Sequence, residues 1–357
     1  MTEYSLGISS VPESNAAMNR APLTSVALSR VTVAVIAPSL GHDLQWIRDV
    51  DPRIDVVDGN ALAAGVEGGG RLLESADVVL LGYPVPQGIA RHAPRLAWVH
   101  HTQAGVSNLH GTDLWESGAI LTSSRGAVAA TGIAEYVLAG AYHFGRGLHE
   151  ATRQKAAAQF DRSAYRLQSL TGATIGVVGL GGIGREVARL ARAAGMSVLA
   201  TRRSVVTRDR DTDGVDLLLP AGELTELAAA CDYVAVCAPL TAETRGMIGA
   251  DVFAAMRPDS VVINVARGEL LDEDALVAAL QEGRIRGALL DVYAGELDGR
   301  PPRPELVELP QVVLTPHISS GGDREGSEPA KRLFAENLSR YLGGRPLLNR
   351  VDRNRGY

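Results

Sequence analysis

Two consecutive series of short β-rich runs, alternating with helix-patterned stretches, predict an α/β chain of two doubly wound parallel-sheet domains. The first series falls at residues 31–37, 54–57, 78–81, 96–100 and 120–122; the second at 174–178, 198–200, 233–236, 261–264, 288–291 and 312–314. Such alternation builds parallel sheets with helices on their faces. A length of 357 residues agrees, because a single core usually stops growing below that size. The third observation is the run Gly179-Leu180-Gly181-Gly182-Ile183-Gly184, set between the apolar stretch 174–178 and the helix-patterned run 185–194. A glycine loop between strand and helix is the arrangement of a dinucleotide-binding turn, as in Rossmann domains. Its first glycine permits the tight turn, its second the approach of a pyrophosphate, its third the packing of helix on strand. The pyrophosphate would rest on the helix N-terminus.

The elements follow in order. Residues 1–29, rich in Ser, Asn, Ala and Pro without a period, read as a mobile extension. Residues 30–126 carry the first series and form one domain, to which 319–357 return. Gly68-Gly69-Gly70 marks a flexible turn within it. The apolar, Ala-rich stretch 133–149 reads as one long connecting helix, either an interdomain and dimer helix or simple core packing. The dinucleotide domain spans 127–318. Leu333, Phe334, Leu338 and Tyr341 recur at helical spacing, so 328–341 is expected as a C-terminal helix.

Composition narrows the function classes. Hydrophobic content of 46%, charged content of 21% and near-zero mean hydropathy describe an ordinary globular protein. A net charge of −6 argues against nucleic-acid and anionic-membrane partners. No run of 18 apolar residues suggests a membrane span, and the N-terminus has no basic-then-apolar leader, so a cytoplasmic, reduced setting is expected. Cys231 and Cys237 flank the apolar run 233–236 and read as core residues. No His/Cys/Asp cluster has metal-ligand spacing, so no metal is expected.

Chemistry-bearing residues gather at strand ends. The second strand of the dinucleotide series ends in Thr201-Arg202-Arg203-Ser204, where an NAD-selective site places an acidic residue. Such a residue would hydrogen-bond the ribose hydroxyls and repel a 2′-phosphate, whereas guanidinium groups pair with that phosphate bidentately. NADP(H) is therefore favoured, with NAD(H) possible; the bland alternative is two solvated arginines on a surface turn. Arg267, Glu296 and His317 follow three successive later strands. Taken singly each is more often structural, but ligand sites form at the carboxyl ends of parallel strands, and these three share one rim.

At this point the chain resembles the D-isomer-specific 2-hydroxyacid dehydrogenases, the group containing D-lactate, D-glycerate and glyoxylate/hydroxypyruvate reductases. The resemblance runs from about residue 31 to 348 and is strongest over 174–318, in the stretches VVGLGGIGREVA, APLTAETRGMI, MRPDSVVINVARGELLDEDAL and LTPHI. It implies a Rossmann dinucleotide-binding domain beside a flavodoxin-like substrate domain, and a homodimer. Arg267, Glu296 and His317 match the family's catalytic triad. The segment LAWVHHTQAGV at 96–106 resembles the loop whose amides hold the substrate carboxylate, which points to Ala104 and Gly105. Further candidate cofactor contacts are Ile183, Ser204, Pro239, Ala266 and Asp291.

The implied reaction moves a hydride between the nicotinamide and a small 2-oxo acid or D-2-hydroxy acid. His317 would give or take the proton, Glu296 would orient its ring, and Arg267 would pair with the substrate carboxylate and polarise the carbonyl. Tyr83, His100, His101 and Gln103 are readable either as pocket wall or as core. The sequence departs from the family pattern at Arg202, in place of the acidic residue, at Leu297, where Pro is usual, and in Ile-Ser-Ser-Gly-Gly after His317. Alternatives are a nucleotide-sensing, corepressor-like regulator on the same scaffold and a phosphite dehydrogenase-like enzyme. A formate dehydrogenase would carry Gln at the position of Glu296, and a methyltransferase would leave the strand-end residues unexplained.

Overall fold

The computed structural model describes residues 30–65, 70–126, 130–322 and 326–356. The expected N-terminal extension and Gly68-Gly69 lie outside them. Five strands form the first sheet: β1 (Val31–Ile36), β2 (Ile54–Asp58), β3 (Val78–Leu81), β4 (Trp98–His101) and β5 (Ile120–Ser123), in the order β2-β1-β3-β4-β5, every pair parallel. This is the flavodoxin-type order. Alternate residues of each strand serve opposite faces. Ala34, Ile36, Val79, Leu81, Val99 and Leu121 pack on one side. Val31, Val33, Val35, Val78, Leu80 and Trp98 face the other, where the helix Glu328–Leu342 delivers Phe334, Leu338 and Tyr341. Phe334 stacks on Trp98 with ring centres 5.3 Å apart, so the C-terminal segment completes the core of the first sheet.

Eight strands form the second sheet: β6 (Thr174–Val178), β7 (Ser197–Arg202), β8 (Asp209–Thr212), β9 (Val215–Pro220), β10 (Tyr233–Val236), β11 (Val261–Asn264), β12 (Gly287–Leu290) and β13 (Val312–Leu314). Their order is β13-β12-β11-β10-β6-β7-β9-β8, all parallel except the β8–β9 pair. Strand order reverses between β6 and β10, and the glycine loop leaves β6 at that switch point, where doubly wound sheets bind ligands. Cys231 is buried and Cys237 half-buried beside β10, and burial pushes both thiols up to about 12. Among the described residues no helix is long and apolar enough to cross a membrane.

Two elements differ from the sequence reading. The stretch expected as one helix over 133–149 is two, Ala130–Gly145 and Leu148–Ala156, because Gly147 turns left-handed with φ +67°. The first buries Ile133, Ala134, Val137, Ala141 and Phe144 in the core of the second sheet, which is the packing alternative. The second difference is the β8–β9 hairpin, for which no strands were expected. Its two turn residues, Asp213 and Gly214, both have positive φ (+52° and +78°), the backbone of a tight hairpin turn that Asp-Gly favours. Strand β8, Asp-Arg-Asp-Thr, is polar and exposed, as an unpartnered sheet edge requires.

Candidate active site

The glycine loop has the local geometry its sequence demands. Gly179 has φ +96°, and a Cβ there would stand 2.8 Å from the backbone of Ala238. At Gly184 a Cβ would meet the carbonyl oxygen of Gly179 at 2.3 Å. Both positions therefore require glycine for close packing. Gly181 and Gly182 differ: a Cβ on Gly181 would find nothing within 4 Å, and one on Gly182 only Gly126 Cα at 4.0 Å. Among the described residues, open space thus lies over the N-terminus of the helix Gly182–Ala193, whose N-cap Gly181 offers no side-chain cap. Helix N-terminal amides without a side-chain cap, facing glycines with open space above them among the described residues, fit a dinucleotide pyrophosphate. Ile183 turns the other way, against the core.

Three loops at the ends of β11, β12 and β13 carry Arg267, Glu296 and His317. Gly268 packs so closely on the next loop that a Cβ would fall 1.9 Å from the carbonyl carbon of Tyr293, so the Arg267 and Glu296 loops are joined backbone to backbone. The amides of Ala294 and Gly295 donate to Glu273 (2.8 Å) and Glu269 (3.2 Å). His317 is held left-handed, φ +54°, by its own N–H donating to the carbonyls of Asp291 (2.9 Å) and Thr315 (3.0 Å). A histidine in that region is strained backbone, of the kind that concentrates at functional sites. Its Nδ1 lies 2.9 Å from Oε1 of Glu296. The approach is close but makes no aligned hydrogen bond, since the buried Oε1 has no well-directed donor. Among the described residues Nε2 has no hydrogen-bond partner.

Asp291 is fully buried. Its carboxylate accepts from Thr315 Oγ1 (2.7 Å) and the amides of Ile318 (2.8 Å) and Ser319 (2.9 Å). Thr315 is in turn hydrogen-bonded to Tyr136 on the helix Ala130–Gly145. The hydrogen bonds seen for the Asp291 carboxylate all go to the segment that carries His317, while its amide donates to the carbonyl of Asn264 at 3.0 Å; the sequence reading names it among the cofactor contacts.

The first domain reaches this rim through residues 102–107. Arg267 Nε donates to Ser107 Oγ across 3.1 Å and its Nη1 to the carbonyl of Ala266 across 2.6 Å. A Cβ on Gly105 would lie 2.6 Å from Arg267 Nη2, so this loop and the guanidinium abut, with half-buried Ala104 alongside. Burial lowers the Arg267 pKa from its ordinary value, opposed by the nearby carboxylates of Glu296 and Glu269. His101 is buried behind, its ring between the Leu81 carbonyl (3.0 Å) and Asn108 Oδ1 (3.2 Å), and burial pushes it down to about 4. His100 is core, bonded to Thr122 and Ser124, with its pKa down to about 3. Tyr83 is exposed. Ser107 was not singled out in the sequence, where one Ser in a polar loop carries no signal.

At the ribose end the two arginines are ion-paired. Arg202 Nη1 lies 2.6 Å from Asp213, which also takes Arg185 at 2.9 Å, and Arg203 Nη1 lies 3.7 Å from Glu243. Ser204 and Pro239 are exposed nearby, the Pro239 carbonyl accepting from Thr244 Oγ1 at 2.7 Å. Asp213 is the residue that reading along the second strand misses, and its signal was the Asp-Gly pair after a charged run.

Known proteins resemble this arrangement. The model of the D-isomer-specific 2-hydroxyacid dehydrogenase NAD-binding domain matches residues 138–319. A D-3-phosphoglycerate dehydrogenase of Methanocaldococcus jannaschii is 31% identical over 283 residues, 78% of this chain and 52% of that protein, so the chain spans about half the length of that relative. A glyoxylate reductase of Korarchaeum cryptofilum is 31% identical over 274 residues, 75% of this chain and 79% of that protein. The crystal structure of a D-isomer specific 2-hydroxyacid dehydrogenase from Xanthobacter autotrophicus Py2, in complex with NADPH and MES, aligns with a TM-score of 0.76 at 28% identity, covering 92% of this chain and 100% of that one. With the two sheets, the glycine cradle and the rim built on them, these likenesses place the chain: it belongs to the D-isomer-specific 2-hydroxyacid dehydrogenase family.

Proposed function

We propose that the protein is an NAD(P)H-dependent oxidoreductase that interconverts a small 2-oxo acid and its D-2-hydroxy acid, with NADPH favoured. The observation that carries this reading is the joining of His317–Glu296 with an Arg267 braced across the interdomain cleft by Ser107 and seated against Gly105. The dinucleotide, held by Gly179, Gly181, Gly182 and Gly184, supplies the hydride when bound. Arg267 pairs with the substrate carboxylate and draws negative charge onto the carbonyl oxygen, while the amides of Ala104 and Gly105 complete the carboxylate clamp. Protonated His317 gives its proton from Nε2 to that oxygen and takes it back in the reverse direction. Glu296 orients the ring and pairs with its charged form. Because the clamp amides of Ala104 and Gly105 and the triad come from different domains, closing the cleft would exclude water from the reacting atoms. Arg202 and Arg203 support NADPH through the 2′-phosphate. Tyr142 on the helix Ala130–Gly145 and Leu148 just after it are exposed, which supports a homodimer contact there.

The test is a panel of glyoxylate, hydroxypyruvate, pyruvate and bulkier 2-oxo acids, assayed with NADPH and NADH in parallel. Turnover of at least one acid at ordinary enzyme rates is expected, faster per unit concentration with NADPH. No oxidation of either cofactor with any acid would defeat the enzymatic reading in favour of a sensor on the same scaffold.

A further inference from the structure

The acidic group absent from the end of β7 is supplied from elsewhere in the chain. Arg202 closes β7 level with the glycine loop, since the amides of Gly179 and Leu180 both donate to the carbonyl of its neighbour Thr201, at 3.1 and 3.0 Å. The β8–β9 turn brings Asp213 to this point. One carboxylate oxygen accepts from Arg202 Nη1 at 2.6 Å and the other from Arg185 Nη1 at 2.9 Å, Arg185 lying in the first turn of the glycine-loop helix. Asp213 thus bridges the strand end and the helix start that flank a dinucleotide's adenosine ribose. It is about one quarter exposed, within a ligand's reach, while the buried Nε of Arg202 has no acceptor. Arg185 first, then Arg202, hold the Asp213 carboxyl below the usual range.

We propose that Asp213 is the specificity-determining residue of the ribose subsite, a carboxylate that accepts from the ribose hydroxyls and must be displaced from Arg202 before a 2′-phosphate can pair there. The inference rests on the reading of the glycine loop as a dinucleotide site. It makes the discrimination between NADPH and NADH a contest between two anions for one guanidinium. A 2′-phosphate entering the site loses against the Asp213 charge part of what it gains from Arg202, whereas a 2′-hydroxyl keeps the ion pair intact.

Asp213→Asn tests this directly. Asn tolerates the left-handed backbone and favours the same turn, so the hairpin is retained. Calorimetric titration would compare adenosine 2′,5′-bisphosphate with adenosine 5′-monophosphate, and NADPH with NADH, on the intact chain. Expected is tighter binding of the two 2′-phosphorylated ligands by about tenfold, with the other two unchanged or weaker, the size of effect typical of a nearby charge pair. Adding Arg202→Gln should erase that gain. Equal change in both classes of ligand, or no change in either, would overturn the role of Asp213 alone. Failure of every ligand to bind wild type and variant would overturn the dinucleotide site together with it.

Discussion

Two rims of the same sheet hold their charged groups by opposite means. Around the triad, backbone does the holding: Gly268 lies against the Tyr293 peptide, Glu273 and Glu269 take the amides of the Glu296 loop, and fully buried Asp291 takes two amides of the His317 loop. Around the ribose end, side chains hold side chains near the surface, Arg202 on Asp213 and Arg203 on Glu243. Buried carboxylates on backbone amides are expensive to disturb, because each lost partner leaves a desolvated group. Half-exposed ion pairs contribute only about 0–1 kcal/mol and exchange readily. On the proposed reading, the chemistry would rest on architecture that tolerates little change, and the cofactor choice on contacts that can be rewritten one residue at a time.

The largest expected effect is at His317. His317→Ala should lower kcat by about 10³-fold, within the range for loss of a general acid, while leaving the dinucleotide dissociation constant nearly unchanged. A variant that keeps its turnover would remove the triad rim from the chemistry and break the contrast at its root. Arg267→Lys comes next. A lysine cannot hold Ser107 and the Ala266 carbonyl while also offering a fork to a carboxylate, so kcat/KM should fall by about 10²-fold. Wild-type kcat/KM in this variant would show that a point charge suffices.

Asp291→Asn asks whether the left-handed His317 depends on the buried carboxylate. The amide keeps one acceptor and sets an N–H against donors, so kcat should fall about tenfold, and stability to urea by about 2 kcal/mol, the usual penalty for unmatched buried polar groups. Unchanged kcat with lowered stability would make Asp291 a fold residue and leave His317 positioned by its other contacts.

Much of this contrast was legible in the sequence, unevenly. Strands β6, β10, β11 and β12 are buried along nearly their whole length and read as short apolar runs, which orders the strand ends before Arg267 and Glu296, whereas β13, before His317, is only half-buried. The glycine pattern marked the cradle, because Gly184 answers to the carbonyl of Gly179 within the same loop. The ribose rim was half legible. Arg202 stands in the expected place, but its partner lies 11 residues on, in a hairpin whose edge strand is too polar to have an apolar pattern. The break at Gly147 was hidden within an apolar, Ala-rich stretch that keeps helical composition on both sides. Ser107 reaches Arg267 over 160 residues of chain, a pairing only the fold supplies.

The first domain offers a further test through its two buried histidines. Burial pushes His101 down to about 4 and His100 to about 3, from 6.5. Below pH 6.5 the unfolded chain gains protons that the folded one refuses, so stability should fall as pH falls, through about pH 4 for His101 and about pH 3 for His100. Each contributes a slope of about 1.4 kcal/mol per pH unit inside its window. Urea midpoints at pH 6.5 and 5.5 would measure it, and His101→Gln should flatten the slope by about one proton. A slope unaltered by that change would mean the ring is protonated in the fold.

The smallest effect belongs to the ribose rim and completes the comparison. Arg202→Gln removes a side chain about one third exposed and paired through Nη1 with Asp213, so stability should change by under about 1 kcal/mol. Its effect on NADPH binding should be larger than its effect on stability and should shrink as salt rises toward 1 M, where screening reaches about 3 Å. Unfolding measured alongside NADPH titration at low and high salt would separate the two. If Arg202→Gln instead cost as much stability as Asp291→Asn, the ribose rim would be as structural as the triad rim. Cofactor choice could not then be altered without endangering the fold.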